Sequence, residues 1–120
     1  MEYLEKWREA EEKMGREIDA IVAPVTATAA VRHNRFKYYG YASTVNLLDW
    51  TSVVVPVTFA DSSLDLKKER EAVGVDAEVR DEYDPEAYHG APVAVQVIGR
   101  RLSEERTLAV AEELARVLAL

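Results

Sequence analysis

Residues 91–99, APVAVQVIG, form a strand-length run in which apolar residues do not alternate with polar ones. A strand with one wet face alternates; one that is apolar on both sides needs cover on both sides, and so layers above and below its sheet. The run SVVVPVTF at residues 52–59 has the same character, and Pro56 within it marks an edge, a bulge or a bend because proline cannot donate to a ladder. A third β-branched run, at residues 21–25, is broken by Pro24. Around these strands the chain predicts helices. In MEYLEKWREAEEKM, Leu4, Trp7, Ala10 and Met14 recur at helical spacing and Gly15 supplies a stop. YASTVNLLDW at residues 41–50 reads as a short helix. In the last segment Ser103 stands as N-cap before Glu104 and Glu105, and Leu108, Ala111, Ala115 and Leu118, widened by Leu114, share a side.

The order is helix, strand, loop, helix, strand, long loop, strand, helix: an α/β chain of about three strands and three helices. Residues 61–83 are the most polar and read as a loop excursion from a single partial domain over 1–120, with at most a helical turn near residues 67–70. Cover is the constraint. The first and last helices suffice for one sheet face, and the short helix shields the other only in part, so apolar surface is left for an interface.

Composition bounds the function. At 120 residues the chain holds one core, and 48% hydrophobic with 31% charged residues describes a globular protein. A net charge of -7 argues against nucleic acid and anionic membranes, which need a basic face. The absence of cysteine excludes a disulfide framework and thiolate ligands. No apolar run reaches membrane-spanning length, which predicts a cytoplasmic protein with no membrane span.

Several residues invite chemistry. His33 and His89 lie in different loops and read as surface or structural histidines. Ser62 and Ser63, beside Asp61 and Asp65, read as a polar loop without a base to activate them. The carboxylates between Glu78 and Glu86 lack the spacing and glycine of a calcium loop and read as a solvated cluster. No metal or cofactor is expected. The aromatics Trp7, Trp50 and the cluster Tyr38, Tyr39 and Tyr41 suit either the core or an interface, or else a pocket wall.

DAIVAP at residues 19–24, YGYASTVNLLDWTSVVVP at 39–56, DPEAYHGAPVAVQVIGRR at 84–101 and LSEERTLAVAEEL at 102–114 occur in one order. Together they resemble the C-terminal end of amidase-signature hydrolases, those of the fungal general amidase (acetamidase) type and, more distantly, the fatty-acid amide hydrolases. The resemblance implies an α/β/α sandwich around a mixed sheet, to which this chain gives the last strands and an outer helix. It also implies amide hydrolysis by a nucleophilic serine, a second serine with a cis peptide bond, and a lysine base. Those serines belong to a glycine- and serine-rich stretch, whereas Gly15, Gly40, Gly74, Gly90 and Gly99 stand isolated. The triad maps to no position, so no catalytic residue is expected in this chain.

In the resembling hydrolases the helix before the penultimate buried strand borders the acyl side, which makes Ala42, Val45 and Asn46 the expected pocket-lining residues. Two functions follow: a structural C-terminal portion of an amide hydrolase, silent alone and partnered by the rest of the amidase domain; or an autonomous, non-enzymatic binding protein that self-associates through an exposed sheet face.

Overall fold

The computed structural model describes residues 2–118. Its elements are α1 (Glu2–Met14), β1 (Ile21–Pro24), α2 (Gly40–Leu48), β2 (Thr51–Phe59), α3 (Val75–Glu82), α4 (Pro85–Tyr88), β3 (Pro92–Gly99) and α5 (Glu104–Leu118). The α/β class and the three strands agree with the sequence. Among the described residues there are five helices, not three. Both additions fall in polar chain: α3 lies inside the expected loop at 61–83, while residues 67–70 are irregular. The short α4 follows from Asp84, whose side chain accepts from Ala87 N, and from Pro85 in the first turn.

The sheet order is β1-β3-β2, and β3 pairs antiparallel with both neighbours. β1 and β2 therefore run the same way with β3 between them, and among the described strands no parallel pair occurs. Register follows the apolar pattern. Val53 and Val55 face Val97 and Val95 across one ladder, and Ala23 and Val54 flank Gln96 on the other side of the sheet. Pro56 sits at a register irregularity between Pro56 and Thr58, on the edge strand, where its missing N–H costs no ladder bond.

One sheet face is closed by α5. Val55, Val97 and Ala111 form the buried centre, packed round by Val53, Val95, Val110, Leu114 and Ala115. The buried side of α5 is thus turned from the expected one: Ala111, Leu114 and Ala115 face inward, whereas Leu108 and Leu118 are exposed. Thr107 causes the rotation. It is wholly buried, and its hydroxyl donates to Ser103 O at 2.7 Å. It seats against Gly99, where a Cβ would lie 2.0 Å from Thr107 Oγ1 and 2.7 Å from Ser103 Oγ. Ser103 precedes the helix as expected, but its hydroxyl donates back to Arg100 O and does not cap an α5 amide.

The first helix does not shield a sheet face; it is pinned at one end of the sheet. Trp7 meets Trp50 edge-on with ring centroids 5.2 Å apart, and Arg100 lies over the Trp7 ring at 5.9 Å. Trp50 and Arg100 adjoin the paired residues Thr51 and Gly99. Gly15, at φ 67, ends α1 with bonds from its own N–H to Glu12 O and from Arg16 N–H to Glu11 O. Glu11 Oε1 then accepts from Trp7 Nε1 at 2.9 Å and from Ile18 N at 3.0 Å, tying the helix to the chain that leads into β1.

Two outcomes follow. Gly99→Ala lowers stability by about 2 kcal/mol, the cost of overpacking against a neighbour that cannot move, read as a fall in the urea midpoint at unchanged slope. Glu11 also confers acid sensitivity. The Ile18 amide above all, then Trp7 and Arg100, holds its carboxyl below the ordinary value of 4.5. The unfolded chain therefore takes up that proton first as pH falls, so the contribution of Glu11 is present above about pH 4.5 and is lost below it. Glu11→Gln flattens the dependence of the unfolding midpoint on pH in that acid limb.

Candidate functional site

The sheet face opposite α5 carries the arrangement with most functional content. Gln96, at the middle of β3, is 2% exposed. Its Nε2 donates to Pro24 O at 2.8 Å and to Tyr41 O at 3.1 Å, and its Oε1 accepts from Ser52 Oγ at 3.0 Å. One amide thus joins the end of β1, the first turn of α2 and the start of β2. Both donors of its NH2 group are used, which fixes its orientation and satisfies a group that would otherwise be costly to bury. Sequence reasoning missed this residue, although it is the one polar side chain in the run at residues 91–99.

The helix over this face, α2, starts without a side-chain cap. Instead, Ser43 Oγ donates to Tyr39 O at 2.9 Å and Thr44 Oγ1 to Gly40 O at 3.1 Å. It ends at Asp49, left-handed at φ 53, with the Asp49 and Trp50 amides closing on Asn46 O and Val45 O. Edge-on aromatic pairs lead into it, Phe36 with Tyr39 and Tyr38 with Tyr41. Of the three expected pocket residues, Val45 is buried, Ala42 half-buried and Asn46 exposed. Around them apolar surface stands open: Val54 is 55% and Leu47 85% exposed.

A second cluster is tertiary in origin. His89 reaches the serine loop, its Nδ1 accepting from Ser62 N at 3.1 Å and lying 4.0 Å from Asp61 Oδ1. A base does therefore lie near the serines, contrary to the expectation. Its lone pair is engaged by a backbone amide, however, while Ser63 Oγ gives its proton to Asp61 at 2.7 Å. These bonds stitch a turn, and they agree with the structural reading of His89. The hydroxyl and then the amide of Ser63 hold the Asp61 carboxyl below its usual range. His33 is exposed in the turn before Asn34.

The carboxylates between Glu78 and Glu86 are not all solvated. The Glu82 side chain is only 10% exposed and takes Arg32 Nε at 3.0 Å and Arg35 Nη1 at 3.6 Å. Asp84 takes Arg32 Nη1 at 3.2 Å. The bond to Glu82 above all raises the Arg32 pKa. Tyr88, almost fully enclosed, donates to Glu82 O at 3.1 Å, and burial pushes its phenol pKa up. This network fastens residues 32–35 to α3 and α4. Among the described residues, no three acidic or histidine side chains are grouped to hold a metal ion, and no helix is long and apolar enough to cross a membrane.

An antiparallel three-stranded sheet closed on one face by an amphipathic helix, with short helices around it, is an α/β arrangement. The solved structure of a fatty acid amide hydrolase superposes with a TM-score of 0.83 over 97% of this chain and 21% of its own, at 22% identity, a likeness of fold alone. The sequence profile of the family described as Amidase matches residues 1–108, and the chain belongs to that family. It is similar to an acetamidase of Emericella nidulans, 74% identical over 120 residues, and to an acetamidase of Aspergillus oryzae, 65% identical over 119. Each alignment covers 98% of this chain, which spans 22% of the length of either relative.

Gln96→Leu costs about 3 kcal/mol, because it leaves two carbonyls and a hydroxyl without the partner that replaced water. Ser52→Ala, which removes one of those bonds at the edge, costs about 1 kcal/mol. Paired urea titrations measure both, and equal losses would show that the amide bonds to Pro24 and Tyr41 contribute nothing.

Proposed function

We propose that this chain is the C-terminal structural portion of an amidase whose whole polypeptide hydrolyses a small aliphatic amide to a carboxylic acid and ammonia. The observation that carries this reading is surface. A compact protein of 13.5 kDa exposes about 6,500 Å² and has a radius of gyration of about 14 Å. This chain exposes 8612 Å² with a radius of 16.5 Å. The excess, about 2,000 Å², is of the size that permanent interfaces bury. Its apolar components include Val54 on the sheet face opposite α5 and Leu47 on α2, and in this reading a further layer of an α/β/α sandwich covers them.

The acetamidase relatives support a substrate with a short acyl group. In this reading the nucleophilic serine, its partner serine and the lysine come from the remainder of the amidase domain, and the α2 side borders the acyl pocket. Asn46 and Ala42 offer surface to a ligand there, and Val45 supports them from behind. Docking the remainder over the open sheet face would return most of the apolar excess at about 25 cal/mol per Å².

Ammonia release from acetamide, with sedimentation alongside, tests the reading. The chain alone is expected to release none and to self-associate or bind a hydrophobic dye, and it is expected to bind the separately expressed remainder of an amidase. Turnover by the chain alone that disappears on replacing one of its serines or histidines would overturn the catalytic part. A strictly monomeric, dye-free species with a cooperative melt would favour an autonomous binding protein instead.

A further inference from the structure

We propose that the cleft between α1, the α2–β2 junction and the β3–α5 turn binds an amphipathic organic carboxylate, a monoanion carrying an aliphatic or aromatic tail. The cleft has a volume of about 590 Å³, within the range of small-molecule sites. It concentrates positive charge in a chain whose net charge is -7: Arg8, Arg100 and Arg101 line it, and none of its lining residues is acidic.

The acids nearby leave this charge incompletely matched. Arg101 meets Asp49 at 2.7 Å, but both side chains are in solvent, where such a pair contributes little. Arg100 lies 3.9 Å from Glu11, whose other oxygen is already taken by Trp7 and Ile18. Among the described residues, Arg8 has no acidic oxygen within salt-bridge distance: the acids of α1 that are paired are Glu2, with Lys6, and Glu11, with Arg100. Guanidinium forks match the two oxygens of a carboxylate.

The remaining wall selects the rest of the ligand. Leu4, Leu48 and Trp50 give the cleft an apolar side. Leu102 completes the rim in a left-handed conformation, φ 57, with 79% of its surface exposed. A leucine rarely adopts that conformation, and here it holds an apolar side chain at the mouth of a cationic cleft. An inorganic anion would satisfy the arginines but leave this wall wet, and an alkane would do the reverse. The inference rests on these residues alone and not on the amide chemistry proposed above.

Intrinsic fluorescence reads it directly, since the chain has two tryptophans: Trp50 lines the cleft, and Trp7 packs against it. Octanoate is titrated into the chain, with octan-1-ol and octylamine as neutral and cationic controls. The expected result is saturable quenching by octanoate at a concentration at least tenfold below that for octanol, weakened by salt, with no saturation by octylamine. Arg8→Gln, at an exposed helix position, is expected to weaken octanoate at least fivefold and leave octanol unchanged. Leu102→Gly, which suits the left-handed backbone and so preserves folding, is expected to weaken both. Equal affinities for octanoate and octanol, or octanoate binding indifferent to Arg8→Gln in a variant of unchanged circular dichroism, would overturn the proposal. So would saturable quenching by an acidic aromatic peptide with none by octanoate.

Discussion

Every layer of this chain is referred to the central strand β3, and one amide fixes how. β3 is the only described strand paired on both sides, and Gln96 at its middle reaches across to β1, α2 and β2 at once. A buried amide is favourable only when its donors and acceptor are all met, so these bonds specify one arrangement of the three elements. The apolar ladder on the opposite face, Val55, Val97 and Ala111, supplies burial without direction. Burial holds the helix on the sheet, and Gln96 says where the loop after β1 and the helix α2 must lie.

The two faces of the sheet are consequently unequal. α5 seals one, helped by Gly99, which lets Thr107 approach the strand with no intervening side chain. The other is met at Gln96 by the first turn of a nine-residue helix and edged by open valine and leucine surface. For a self-sufficient domain that would be a defect. The chain spans 22% of the length of its acetamidase relatives, and in the function proposed above the open face is where a further layer docks.

Arginine gives the irregular chain its order. Arg32 joins Glu82 and Asp84, 50 and 52 residues distant, and Arg106 on α5 meets Glu17 and Asp19 ahead of β1. Exposed pairs of this sort add little stability each. Glu82 differs because its side chain is largely withdrawn from water, so its two arginines are needed there. The same residue type, gathered around the α1 cleft, meets fewer acids and has charge to offer.

The sequence by itself determined the strands, the main helices and the family, because these depend on patterns of neighbouring residues. Apolar runs without alternation placed β2 and β3, helical spacing and Gly15 placed α1, and the ordered motifs from residue 19 to residue 114 carried the resemblance to amidases. Only the tertiary structure decided what depends on residues distant in the chain. The side of α5 that turns inward was set by a glycine on β3, the seat of α1 by Trp50 and Arg100, and the environment of Glu82 by arginines fifty residues earlier. His89 came to the serine loop in the same way. Periodicity says that a residue is apolar or polar and at what spacing; it does not say which distant group will satisfy it. That choice is made when the chain closes, by the requirement that each buried donor and acceptor find a partner.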